Sequence, residues 1–312
     1  MNIHCKEYLF PFRDGECHAS TVLPLRDGTV LAAWFGGTRE GAPDVQIWYS
    51  RRENGVWGTP CAVPTESPIQ HWNPVLFEMQ EGTVTLFYKV GHPIDVWKTM
   101  SVHSTDGGRT WSAPSELVAG DGSGGRGPVK NKPLYTSDGR VLAPASTECG
   151  GVWRCFVDEF DGENWIKREI SVENEHVGVI QPALWECPAG HIHALMRSNQ
   201  GRVYRADSAD GGRTWCACYS TDLPNNNSGL DCVMTENGTL VLVCNPVEQT
   251  GGTRTPLSVL VSTDNGDTFT KVLDLETAQG EFSYPAVVAK GERLYISYTY
   301  RRQSIAFCEL TL

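Results

Sequence analysis

Three things are scarce in this chain. It has only 26 lysines and arginines against 37 aspartates and glutamates, a formal net charge of −11. That balance argues against nucleic acid or an anionic membrane surface as partner. No stretch approaches 18 consecutive apolar residues, and the opening Met1-Asn-Ile-His-Cys-Lys-Glu has no apolar core of the kind that directs export. The 11 cysteines are odd in number and contain no C-x-x-C pair. Without an export signal they are expected to be reduced thiols, with the cytoplasm as the location, and no metal or other cofactor is expected. Sustained helical periodicity is missing too, as are linkers and low-complexity segments. The expectation is therefore an all-β chain forming one domain over residues 1–312.

What is present is repetition. Ser104-Thr-Asp-Gly-Gly-Arg-Thr-Trp111, Ser208-Ala-Asp-Gly-Gly-Arg-Thr-Trp215 and Ser262-Thr-Asp-Asn-Gly-Asp-Thr-Phe269 share the pattern S-x-D-x-G-x-T-W/F. The chemistry suits a hairpin turn: Ser and Asp oxygens accept backbone N–H groups, Gly permits positive φ, and the aromatic packs beneath. The copies start 104 and 54 residues apart, so one degenerate unit is expected between the first two, over Asp158 to Trp165. Another is expected at Ser50 to Trp57. A second series of turns runs through Asp27-Gly28, Glu81-Gly82, Asp138-Gly139, Ala189-Gly190, Asn237-Gly238 and Lys290-Gly291. Short β-branched and aromatic runs follow them, such as Thr29–Phe35 and Leu294–Tyr300. Six turns in 312 residues make about 52 per unit, the length of a four-stranded blade, so a six-bladed β-propeller is expected. The Gly120–Gly127 segment reads as a connection between blades.

In a propeller the innermost strand of each blade begins at the mouth of the central channel. The residues ahead of each glycine turn should converge there: His18, Asn73, Asn131 or Lys132, Gln181, Ser228 or Asp231, and Tyr284. The ends of the second strands should add Lys89, Glu148, Arg197 and Arg301. Local basic groups must outweigh the net charge if the ligand is anionic, and Lys89, Arg126, Lys130, Lys132 and Arg301 are available. Trp72 and Trp97 lie beside loops and are available as sugar platforms.

Over essentially its whole length the chain resembles the sialidase superfamily, whose Asp-box repeat is the octapeptide above. The resemblance implies three arginines that clamp a sugar carboxylate, an aspartate acid/base and a tyrosine nucleophile paired with a glutamate. Phe282-Ser-Tyr-Pro-Ala resembles the nucleophile segment, which implies Tyr284. Leu195-Met-Arg-Ser and Thr253-Arg-Thr resemble clamp segments, which imply Arg197 and Arg254. Phe35-Gly-Gly-Thr-Arg-Glu-Gly-Ala-Pro-Asp44 resembles the acid/base loop, which implies Asp44. Two positions depart from the family: His18 stands where the first arginine falls, and Gln181 where the glutamate falls. A histidine is no bidentate fork, and a glutamine orients a phenol without accepting its proton.

The resemblance thus implies an exo-acting, retaining glycosidase that releases a terminal acidic sugar, sialic or a related ulosonic or uronic acid, from an acidic glycan. A tyrosine suits that chemistry, since a carboxylate nucleophile would repel the substrate carboxylate. Two other readings stay open: a uronate-specific lyase with Tyr284 or His18 moving the proton, and a propeller that binds glycans without cleaving them. Each residue also has a plain structural alternative. Tyr284 can stack at the rim, Arg254 can be a solvated loop arginine, Asp44 can cap a turn and His18 can be a satisfied buried histidine.

Overall fold

The structure is a computed structural model that describes residues 1–65, 69–80 and 82–312. Its strands form six antiparallel sheets arranged as a six-bladed β-propeller, numbered here in chain order. The inner strands are Glu16–Pro24, His71–Gln80, Leu134–Tyr135, Val179–Glu186, Asp231–Met234 and Phe282–Lys290. The second strands are Val30–Gly37, Thr83–Val90, Val141–Cys149, Ile192–Ser198, Leu240–Cys244 and Arg293–Tyr300. Asn2–Tyr8 pairs with Ser304–Thr311, so the first strand of the chain completes the last blade and closes the ring. No helix among the described residues is long and apolar enough to cross a membrane.

The glycine turns link inner to second strands as expected, with Gly28, Gly139, Gly190, Gly238 and Gly291 all at positive φ. Gly82 does the same at φ +77°, while its neighbour Glu81 lies outside the described residues. The octapeptides link third to fourth strands. In the first, the Gly108 N–H donates to Ser104 Oγ (2.7 Å), and the Thr110 N–H and hydroxyl donate to the Asp106 carboxylate (2.9 and 2.7 Å). The copies at Ser208 and Ser262 repeat these bonds. Gly212 shows why glycine is required: at φ +85°, an added Cβ would lie 2.7 Å from Leu142 Cδ1.

Within the degenerate copy at Asp158–Trp165, Asp161 makes the turn, accepting the Glu163 and Asn164 N–H groups at 2.9 and 2.7 Å. Asp158 is fully buried within the third strand and faces Arg126. At Ser50–Trp57 the turn uses Asn54 and Gly55, both at positive φ, without the Ser–Asp pair.

The apolar core lies between blades rather than in the channel. Among the described residues five clusters each bridge two adjacent blades, for example Leu31, Phe35, Leu86 and Val102 between blades 1 and 2. The aromatic residues of the octapeptides pack against these clusters. Around the axis the ties are polar. Ser20 donates to Ser297 (3.0 Å), and Lys132 pairs with Asp231 (3.0 Å), which also accepts the Val287 N–H (2.9 Å).

Candidate functional site at the channel mouth

Four inner strands carry a β-bulge at the mouth, between His18 and Thr21, Trp72 and Val75, Ile180 and Ala183, and Ser283 and Ala286. Each bulge holds one residue in the left-handed region: Ala19 (φ +53°), Asn73 (+43°), Gln181 (+56°) and Tyr284 (+52°). Lys130 in blade 3 does likewise at +67°. An extra residue in one strand re-aims the side chains beside it, and non-glycine residues at positive φ carry a steric cost. Such strained positions concentrate where a fold holds side chains for function.

Tyr284 is the centre of the site. Its phenol oxygen accepts a hydrogen bond of 2.6 Å from Arg197 Nη1. The same nitrogen reaches Gln181 Oε1 at 3.3 Å, and Arg197 Nε donates to Asn227 Oδ1 at 2.9 Å. The Arg254 guanidinium lies over the Tyr284 ring, 5.5 Å from its centroid. The His18 ring lies 4.1 Å from the same ring, and His18 Nδ1 is 2.8 Å from Thr299 Oγ1. Trp153 forms the outer wall, 5.6 Å from the Arg197 guanidinium carbon. Beneath, the Lys130 ammonium donates to Asn131, Leu230 and Pro285 oxygens, joining three blades below the floor.

A third guanidinium, which sequence reasoning missed, sits one residue beyond the expected one. Arg301 points outward, donating to Gln279 O (3.2 Å) and stacking on Phe282 and Tyr300. Arg302 faces inward: Glu281 bridges it to Arg254, with Nε at 3.0 Å from one carboxylate oxygen and Arg254 Nη1 at 2.6 Å from the other. Arg302 also pairs with Glu40 at 2.5 Å. Both arginines sit in a turn at positive φ. A strand-alternation argument cannot assign their faces there.

Other expected residues are engaged elsewhere. Lys89 is buried and donates to Thr99 Oγ1 and Arg126 O, both at 2.7 Å, so it anchors the Gly120–Gly127 connection instead of facing a ligand. Lys132 is committed to Asp231 and Arg126 to Asp158. Trp72 is buried, donates to Gly91 O (3.0 Å) and packs on Trp97, itself buried, so neither forms a sugar platform. Asn73 stays at the mouth of blade 2. Asp44 is exposed, and its carboxylate accepts the Thr38 N–H (2.9 Å) and hydroxyl (2.5 Å). It lines a cavity of about 420 Å³ beside Thr38, Trp48 and Arg302, which Tyr284, Arg197 and Arg254 do not line.

The site is electropositive. Burial holds His18 well below its usual 6.5, and Arg302, Arg254, Arg197 and Lys130 push it the same way, so it is neutral. Burial raises Glu281, but Arg254 and Arg302 outweigh that and keep it a carboxylate. The depressed histidine has a consequence for stability. The folded chain releases the His18 proton more readily than the unfolded chain, so stability is fully present above pH 6.5 and lost as pH falls below it. His71 and His103 are also lowered and act in the same direction. Each histidine contributes at most about 1.4 kcal/mol per pH unit. Denaturant midpoints should fall between pH 7 and 5, and His18→Gln should make that slope shallower.

The fold matches a known class of protein. The BNR repeat-like domain family matches residues 28–296, and the chain belongs to it, as a sialidase-like BNR-repeat propeller. No curated protein matches the chain in sequence. Among solved structures, a Dyadobacter fermentans protein of unknown function superposes with a TM-score of 0.80 at 17% identity, covering 100% of this chain and 99% of that one. The Hadza microbial sialidase Hz136 gives a TM-score of 0.80 at 17% identity, over 95% of this chain and 66% of that one. Trypanosoma rangeli sialidase, in complex with the inhibitor DANA, gives 0.73 at 15% identity, over 95% of this chain and 55% of that one. The chain thus spans about two thirds and about half of these two sialidases.

Proposed function

We propose that the chain is an exo-acting glycosidase for a terminal acidic sugar, with Tyr284 as nucleophile. One observation carries the reading: Arg197 bonds the Tyr284 oxygen at 2.6 Å while Arg254 lies over the same ring. A carboxylate beside the anomeric carbon would meet Arg197 and Arg254, with Arg302 completing the positive wall where His18 leaves a guanidinium missing. Tyr284 then attacks without bringing a second anion to that carbon. Arg197 stabilises charge developing on the phenol oxygen, and the neutral His18 ring packs against the Tyr284 ring. Gln181 orients Arg197 and does not titrate. Asn73 remains available for sugar hydroxyls. Lys89, Lys132, Trp72 and Arg301 have no part in this scheme.

The test is a crystal structure soaked with N-acetylneuraminic acid or glucuronic acid. The reading expects the carboxylate within hydrogen-bond distance of Arg197 and Arg254. A carboxylate bound away from both would refute it.

A second reading draws on Gln181. Among the described residues no carboxylate pairs with Tyr284, whose close partners are a guanidinium and an imidazole. The same set suits a uronate lyase, where arginines neutralise the carboxylate and Tyr284 or His18 removes the adjacent carbon-bound proton. That reaction leaves an unsaturated sugar that absorbs in the near ultraviolet, which hydrolysis does not.

A further inference from the structure

Glu148 lies near the end of the second strand of blade 3, as Arg197 does in blade 4, so both stand at the channel mouth. It is directly opposite Trp153 in the antiparallel ladder, which sets the two side chains next to each other on one face. Trp153 lies against the Arg197 guanidinium, so Glu148 borders the space above Tyr284. Among the described residues its carboxyl has no hydrogen-bond or ion-pair partner. The other carboxylates at the rim are engaged: Glu281 by Arg254 and Arg302, Glu40 by Arg302, Asp95 by the Gly150 N–H and Asp44 by Thr38.

We infer that Glu148, rather than Asp44, delivers the proton to the leaving-group oxygen, an assignment that rests on the hydrolase reading above. The charged groups around the two carboxyls support it. Burial raises Glu148 above the usual carboxyl range, and Asp95 and Glu40 raise it further against the opposing pull of Arg197. Asp44 is held below that range by the Thr38 hydroxyl and N–H. A proton donor needs its carboxyl shifted upward, and of the two the more enclosed carboxyl is the one shifted that way.

The chemistry balances as follows. The bond from the anomeric carbon to the leaving oxygen breaks, its electron pair stays on that oxygen, and the oxygen takes the Glu148 proton. The Tyr284 oxygen supplies the pair for the new bond to carbon, and its proton passes to solvent water. In the second half a water oxygen bonds to the anomeric carbon and its proton returns to Glu148. The Tyr284 oxygen leaves with the bonding pair and regains a proton from solvent water.

The experiment compares methyl and 4-nitrophenyl glycosides of N-acetylneuraminic acid and glucuronic acid in wild type, E148Q and D44N. In E148Q the expected loss of kcat/KM on the methyl glycoside is about 10²- to 10⁴-fold. On the 4-nitrophenyl glycoside it should be below about tenfold, since that leaving group departs unprotonated. The retained turnover also reports a folded site, and the basic limb of the pH profile should disappear. D44N should lose similar activity on both substrates. Equal losses in E148Q on the two substrates, or the leaving-group dependence in D44N instead, would overturn the assignment alone. A wild type that cleaves neither glycoside would overturn the hydrolase reading and this assignment with it.

Discussion

Tyr284→Phe should lower turnover of the preferred acidic glycoside by at least about a thousandfold, roughly 4 kcal/mol of activation free energy. The substitution removes one oxygen from a ring whose position is fixed independently. His18 contacts the ring at 4.1 Å, Arg254 lies over it, and backbone bulge geometry sets its direction. The phenylalanine therefore keeps the packing while the proposed nucleophile is lost and Arg197 Nη1 forfeits its 2.6 Å acceptor. Substrate affinity should change far less, because Arg197 and Arg254 keep their charges. Steady-state kinetics separates the two effects: kcat falls and KM stays within a few fold. Unchanged kcat would remove Tyr284 from the reacting atoms and leave it a stacking residue.

The largest effect on stability should come from Asp158→Ala, which should cost about 3–5 kcal/mol. Asp158 is fully buried and accepts three bonds from Arg126, at 2.7, 3.0 and 3.0 Å, together with the Gly127 N–H at 2.5 Å. Removing it leaves a guanidinium without its counter-ion, with only the Trp165 carbonyl still accepting from it, and a backbone N–H without its acceptor. Lys89 suffers as well: burial pushes it down to about 7, and Asp158 is the main group opposing that shift. The connection held by this pair packs on the hairpin that carries Glu148, through Cys149 Sγ near Ser123 O. Chemical denaturation measures the loss directly. Arg126→Ala should be comparably damaging, and the double variant should lose less than the sum, since the two residues act as one unit. A loss below about 1 kcal/mol would show that the pair is dispensable.

The blades were legible because turn chemistry is local. Ser104, Asp106 and Gly108 satisfy each other within a few residues, so the octapeptide carries its own structure. The convergence of His18, Gln181 and Tyr284 followed from the repeat, which puts equivalent positions on one axis. What escaped depended on distant partners. Lys132 reads as a free rim cation until Asp231, 99 residues later, is found beside it. Lys89 and Trp72 stand at the expected register, but neighbouring loops cover them. Asp158 opens the degenerate repeat in sequence, but its partner Arg126 lies in the preceding connection, 32 residues earlier. Arg302 was hidden by backbone conformation. Left-handed φ at two consecutive arginines breaks the alternation that would otherwise assign their faces.

The central claim is that this rim cleaves a bond to an acidic sugar. The most direct measurement incubates the wild-type chain with a panel of sialic, other ulosonic and uronic acid glycosides and identifies the products by mass and near-ultraviolet absorbance. The account predicts release of an intact, saturated acidic sugar with addition of one water. An unsaturated product would contradict it in favour of the lyase, and binding of these glycosides without any cleavage would contradict it in favour of a recognition propeller.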